Sequence, residues 1–391
     1  MLRVDFARTC ALALLVFITA ACERRQAPRV DPEEKPQAAA PQRTEPPGAT
    51  QPPRTSYAEV VERVAPAVVT IRSERRVRAP RQHPFFNDPF LQEFFGGLFG
   101  ALPPGRESIQ RGLGSGVIVR SEGYILTNHH VIDGAQEIKV ELRDHRIYDA
   151  KLIGSDPPSD LAVLKVEAGN LPALPLGNSD EARVGDVVLA VGNPLGIGQT
   201  VTAGIISAKG RSTGLSDGSF EDFLQTDAPI NQGNSGGALV NAAGQLIGIN
   251  SMILTPTGGN IGIGFAIPVN MARNVMDQLI KTGKVRRGHL GVTIQPVTPD
   301  IATTLGMKEP RGVLVNSVTP NSPAARAGIE RGDVIVSFNG HPVVDGNSLR
   351  NQVASTLPGT EVQLAIVRNK EERQLRVTLG EYQPEAAKPV R

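Results

Sequence analysis

A serine set between glycines is the first feature of this sequence that could do covalent chemistry. In Gly233-Asn234-Ser235-Gly236-Gly237, just ahead of the apolar run Ala238 to Val240, the missing Cβ atoms allow a tight turn. Such a turn can bring backbone N–H groups together beside the hydroxyl, where they could bind an oxyanion. Taken alone, the run is also compatible with an ordinary β-turn. A serine hydroxyl becomes a nucleophile when a neutral imidazole takes its proton and a carboxylate orients that imidazole. Histidines stand at 129 and 130, in Leu126-Thr127-Asn128-His129-His130-Val131, at the end of a predicted strand. Two acids stand in Ser155-Asp156-Pro157-Pro158-Ser159-Asp160-Leu161-Ala162-Val163-Leu164. Asp156, followed by two prolines, reads as a turn residue. Asp160 directly precedes an apolar strand and can be buried beside a histidine. The three groups needed for acyl transfer are present in the order His, Asp, Ser.

Composition removes several other chemistries. The only two cysteines, Cys10 and Cys22, lie near the start of the chain, so a thiolate nucleophile, a zinc finger or an iron–sulfur cluster has no place in the folded part. A zinc site on His129 and His130 would have unfavourable geometry and no third ligand, and neither metal nor cofactor is expected. With 41 basic against 39 acidic residues the net charge is +2, too small to draw a nucleic acid or an anionic membrane.

The elements that must position these residues are short and β-rich. In 391 residues there are 41 glycines and 31 prolines with no collagen-like period, which favours turns and strands over helical bundles. A capping-box pattern, Ser56-Tyr57-Ala58-Glu59, opens a short helix that Pro66 ends. Strands are expected over Ala67 to Arg72, Gly116 to Arg120, Tyr124 to Asn128, Glu137 to Arg143 and Leu161 to Val166. A second set covers Asp186 to Val191, Thr200 to Ser207, Gly237 to Val240, Gln245 to Asn250 and Gly262 to Ile267. With no long helices between them, they predict one or two β-barrels. Pro268 to Lys281 predicts a helix stopped by Gly283. A further module begins near Val285, with five strands and short helices near Pro323 to Ala327 and Ser348 to Ser355.

Taken together, Thr127-Asn128-x-His130-Val131, Ser159-Asp160-Leu161-Ala162-Val163-Leu164, Gly192-Asn193-Pro194, the run from Asp227 to Gly237 and the run from Gly258 to Pro268 resemble the trypsin-like two-barrel peptidases. More narrowly they resemble the HtrA (Deg, Do-like) family. The likeness spans about Ser56 to Gly380. It implies a mainly β fold, a trypsin-like double β-barrel protease domain over 56–283 followed by an α+β PDZ domain over 285–382, with a tail at 383–391. It further implies His130 as general base, Asp160 as its orienting partner, Ser235 as nucleophile, and the amides of Gly233 and Ser235 as oxyanion donors. Since adjacent residues on a strand face opposite ways, His129 is assigned to the surface. Ile230, Ile253 and Leu254 would line a primary pocket for small aliphatic side chains, although apolar residues at such positions also suit the barrel core. Gly288-His289-Leu290-Gly291-Val292 resembles a PDZ carboxylate-binding loop, which places C-terminal peptides at Leu290, Gly291 and Val292. The family likeness implies a homotrimer or a multiple of trimers acting on unfolded proteins. A dedicated signalling protease and a chaperone with little turnover are the alternatives.

Two segments fall outside that likeness. Arg3 and Arg8 precede an apolar run from Cys10 to Ala21, too short to span a bilayer, which reads as an export signal over 1–22. Ala20-Ala21-Cys22 resembles a lipobox, with Thr19 in place of the usual leucine. A lipid anchor at Cys22 and ordinary signal-peptidase cleavage both carry the chain out of the cytoplasm. Residues 23–55 read as an extended proline-rich tether, with eight prolines between Ala27 and Thr55. A long loop at 76–110 carries six of the twelve phenylalanines and reads as a flap or an oligomer contact.

Overall fold

The computed structural model describes residues 56–77, 108–193, 198–214, 219–231, 233–253 and 261–383. The export signal, the tether and the middle of the phenylalanine-rich loop lie outside them. Six antiparallel strands close the first barrel: β1 (Val68–Val77), β2 (Ser108–Arg120), β3 (Tyr124–Thr127), β4 (Glu137–Glu141), β5 (Ile147–Asp156) and β6 (Leu161–Val166), in the order β1-β2-β3-β6-β5-β4. β1 and β2 stay paired out to Val77 and Ser108, so both edges of the predicted loop are strand.

The second barrel repeats the plan with β7 (Val187–Gly192), β8 (Thr200–Arg211), β9 (Phe223–Thr226), β10 (Ala238–Asn241), β11 (Leu246–Ile253) and β12 (Gly264–Pro268), closed by β7 against β10. Along β7 the two faces serve different cores. Val188 and Ala190 fill the barrel interior, while Leu189 and Val191 pack into the seam with the first barrel. Burial on both faces explains why this strand reads as an unbroken apolar run.

Helix α1 (Ala58–Val64) precedes the barrels. The predicted capping box is not formed, since the Ser56 hydroxyl accepts the amide of Ala58 instead of that of Glu59. One helical turn, α2 (His129–Ile132), follows β3. Helix α3 (Val269–Thr282) follows β12 and buries Val269, Ala272, Val275, Met276 and Leu279 along one stripe. It ends as expected at Gly283, whose φ of 72° is the left-handed conformation that glycine adopts without cost. Gly154 of β5 lets it approach closely, because a Cβ there would sit 2.9 Å from Leu279 Cδ2.

The last module has its own core around Val313, Ile335, Phe338, Leu364 and Val377. Its elements are β13 (Gly288–His289), β14 (Val292–Pro296), α4 (Pro299–Thr304), β15 (Val313–Val318), α5 (Pro323–Arg326), β16 (Val334–Phe338), β17 (His341–Pro342), α6 (Gly346–Ser355), β18 (Glu361–Arg368), β19 (Glu371–Thr378) and β20 (Gly380–Glu381). β14 forms one edge of the main sheet.

This module packs on the barrels through a buried ion pair. Both guanidinium arms of Arg287 bond the carboxylate of Asp156, Nη1 to Oδ1 at 2.8 Å, with only 9% and 7% of the two side chains exposed. Phe220 covers the guanidinium at 4.5 Å, and Asn347 and Asn351 of α6 both donate to the carbonyl of Glu221. Asp156 does cap a turn, the 3-10 segment Pro157–Ser159, but its larger role is this junction. A cavity of about 450 Å³ lies alongside, lined in part by Phe220, Asp222 and Asn351.

Burial pushes the Asp222 carboxyl up to about 6, helped by Asp180 and Asp345 and opposed by Lys209. A carboxyl raised above its ordinary 3.8 keeps its proton in the folded state after the unfolded chain has lost it, so stability falls as pH rises through that interval. Asp222→Asn is therefore expected to be more stable than the parent by about 1–3 kcal/mol at pH 7.5. The gap should close at a pH below the ordinary carboxylate value. Thermal melts at both pH values check this, and an equal gap at both would contradict it.

Candidate active site

The site forms where the two barrels meet. His130 comes from α2 and Asp160 from the residue before β6, both in the first barrel, while the second barrel supplies Ser235 ahead of β10 and Ser251 on β11. Asp160 sits at φ 53°, in the left-handed region that Asp tolerates better than most residues. This bend aims its carboxylate at α2. The carboxylate oxygens lie 3.0 and 2.8 Å from His130 Nδ1, and Oδ1 also accepts the His130 amide at 3.0 Å. From behind, the Asp160 carbonyl is held by the amide of His129 at 3.1 Å and by Asn128 Nδ2 at 3.0 Å.

Burial alone would push the Asp160 carboxyl up. The charge and the two N–H groups of His130 outweigh that and hold it below the usual carboxylate range. An ionised carboxylate only accepts hydrogen bonds, so Nδ1 must carry the imidazole proton, and Nε2 is the basic nitrogen. The side chains of His130 and Asp160 are 8% and 15% exposed, which keeps this interaction away from bulk water.

Ser251 joins the two halves. Its hydroxyl donates to Asp160 Oδ2 at 3.0 Å, and its carbonyl accepts the Ser235 hydroxyl at 2.9 Å. The single proton of Ser235 Oγ is thus directed at the backbone carbonyl of the residue whose hydroxyl is bonded to Asp160. Around Ser235 the turn uses its amides selectively. Those of Asn234, Gly236 and Gly237 donate to Asn231, Asn250 and Asn234, whereas among the described residues those of Gly233 and Ser235 have no acceptor. The two amides expected to bind an oxyanion are the two left over.

The remaining expectations are placed as follows. His129 is not on the surface. The strand ends at Thr127, His129 starts the helical turn, and its side chain is only 15% exposed, with Nε2 3.6 Å from Asp133. Neighbours in a helix still diverge, so it does not share the task of His130. Ile230 and Ile253 are 0% and 1% exposed within the core of the second barrel, and Leu254 lies outside the described residues. Leu290, Gly291 and Val292 lead into the edge strand β14. Gly291 has φ 86°, and a Cβ there would come within 2.3 Å of Ser322, so only glycine fits this bend. Helix α6 flanks β14, with Gly346 set against Ile294. Sequence reasoning missed Ser251 and Asn128. A serine in the middle of the apolar strand Leu246–Ile253 was the available signal, because polar residues in such strands are seldom idle.

Two closed six-stranded barrels with a Ser, His and Asp gathered at their seam define a trypsin-like serine endopeptidase, here followed by a PDZ domain. Comparison with known families agrees, matching a trypsin-like peptidase domain at residues 114–249 and a PDZ domain at 288–379. The chain belongs to the HtrA-type serine endoproteases. It is 48% identical over 333 residues to the periplasmic pH-dependent serine endoprotease DegQ of Escherichia coli K12, covering 85% of this chain and 71% of that protein. It is 46% identical to the periplasmic serine endoprotease DegP of the same organism, covering 80% and 70%. Among solved structures, the HtrA-type protease AlgW with a decapeptide is 48% identical, with a TM-score of 0.64, covering 84% of this chain and 99% of that one.

Proposed function

We propose that this serine endopeptidase acts in the periplasm on unfolded or damaged proteins. Ser235 is its nucleophile, His130 the base and Asp160 the group that orients the base. The observation that carries the reading is the chain of contacts from His130 through Asp160 and Ser251 to Ser235. For attack, the Ser235 hydroxyl turns from the Ser251 carbonyl to His130 Nε2 and adds to the scissile carbonyl as the proton passes to the imidazole. Asp160 stabilises the imidazolium, and the amides of Gly233 and Ser235 receive the negative oxygen. Returning the proton to the leaving amine releases the first product, and water then repeats the cycle on the acyl-enzyme. By the family resemblance Ile230, Ile253 and Leu254 stay the residues assigned to a primary pocket for small aliphatic side chains, Ile230 and Ile253 acting from within the barrel core beneath it rather than as exposed wall.

The PDZ domain takes C-terminal peptides, with the carboxylate at Leu290 to Val292 and the peptide strand between β14 and α6. A decapeptide on the solved relative AlgW supports peptide binding in this family. Assembly as a homotrimer or a multiple of trimers follows the family pattern, and Cys22 is the candidate for a lipid anchor. The test is digestion of casein by the full-length chain beside its Ser235→Ala variant. Fragments from the first alone are expected. Clients held intact by both would favour a chaperone.

A further inference from the structure

Ser115 on β2 is wholly buried, yet every polar atom it owns is used at the seam. Its amide donates to the carbonyl of Ser235 at 2.8 Å and its hydroxyl to the carbonyl of Gly233 at 2.6 Å. The same hydroxyl oxygen accepts the amide of Asn193 at 2.9 Å, and its own carbonyl accepts the Thr127 hydroxyl at 2.7 Å. Asn193 is in turn tied to β1, through Nδ2 to Thr70 Oγ1 at 2.5 Å. One residue of the first barrel thus grips the turn of the second barrel on both sides of Asn234. The Gly192-Asn193-Pro194 run, which no step of the mechanism uses, supplies the group that orients the gripping hydroxyl.

We propose that Ser115 is a positioning residue for hydrolysis, whose hydroxyl holds the Gly233–Ser235 turn with its donor amides facing the substrate carbonyl. This rests on the oxyanion reading given above. The physical reason lies in the peptide planes. The plane between Gly233 and Asn234 is tied at one end by the Asn234 amide to Asn231 and at the other by Ser115 Oγ to the Gly233 carbonyl. Gly233, at φ 96°, has no Cβ to resist rotation of the planes on either side. Without the hydroxyl that plane keeps one tie, and the Gly233 amide, left without an acceptor among the described residues, loses the restraint that would hold it toward an oxyanion. Gly236 shows how closely the two pieces are fitted, since a Cβ on it would lie 2.1 Å from the Ser115 carbonyl oxygen.

The experiment uses the full-length chain, Ser115→Ala and the isosteric weak donor Ser115→Cys. It measures steady-state cleavage of a chromogenic peptide and the rate of inactivation by a fluorophosphonate. In that inactivation the Ser235 oxygen bonds phosphorus, fluoride leaves, His130 takes the proton, and the phosphoryl oxygen sits where an oxyanion would. Losing one direct oxyanion donor costs about 100- to 1,000-fold, so losing a clamp on it should cost less, about 10- to 100-fold in kcat for Ser115→Ala. KM should stay within about twofold, phosphonylation should slow by the same factor as kcat, and Ser115→Cys should fall between. Rates are taken per folded molecule, measured by circular dichroism at the assay temperature. Phosphonylation of folded Ser115→Ala at the parent rate would overturn the proposal and leave the hydrolase reading intact. Failure of the parent itself to be phosphonylated would remove that reading and this proposal with it.

Discussion

Ser235→Ala is expected to lower kcat by about a million-fold, because removing the nucleophile of such a triad costs nearly as much as removing all three members. The prediction is sharp because the fold does not depend on the lost oxygen. Among the described residues Ser235 Oγ makes one hydrogen bond, donated to the Ser251 carbonyl, and its removal leaves a single acceptor unmet at a cost of about 1 kcal/mol. The turn itself is held by backbone bonds from Ser115 and Asn250, which alanine keeps. A chromogenic peptide assay should therefore fall to background while the melting temperature moves by only a few degrees. Peptide turnover surviving within tenfold of the parent would mean that a different residue attacks.

Asp160→Asn should cost about ten-thousandfold in kcat near neutral pH. The carboxylate accepts from His130 Nδ1, the His130 amide and the Ser251 hydroxyl, and each of these is a donor. An amide in its place offers an NH₂ group to one of them. If that group faces Nδ1, the imidazole proton moves to Nε2, where it blocks removal of the Ser235 proton. Asparagine adopts positive φ readily, so the backbone at φ 53° is preserved and the loss is chemical rather than conformational. A stability signature accompanies it. A carboxyl held below its ordinary range contributes stability that is fully present above that range and is lost as pH falls through the lowered value. The difference in melting temperature between parent and variant should thus be widest near neutrality and shrink in strong acid. A kcat within a hundredfold of the parent at pH 7 would contradict the tautomer argument.

Much of the site was legible because its residues sit where pattern changes abruptly. Ser235 lies between glycines ahead of a strand, His130 follows a strand end, and Asp160 opens a strand. Ser115, Asn128 and Ser251 carry no such mark. Each is a buried polar residue in or beside an apolar strand, and its meaning depends on a partner from a distant part of the chain. Asp156 is the same case, read locally as a turn while its guanidinium partner lies 131 residues away.

The fold was read one strand short in each barrel, for two different reasons. β5 has mixed exposure, with Ile147 57% and Leu152 47% exposed among Asp149, Lys151 and Gly154, so no clean alternation marks it. β9 is only four residues long, too short for a period to stand out. Helix α4, six residues opened by Pro299, was missed because so short a segment shows too few turns for a period to register.

The division of labour between the barrels bears on how such a chain is made. His130 and Asp160 are synthesised well before Ser235 and Ser251, and neither pair is capable of hydrolysis by itself. The assembled site therefore cannot exist until the later barrel has closed against the earlier one. Competence for hydrolysis thus depends on completed folding and arrives with it.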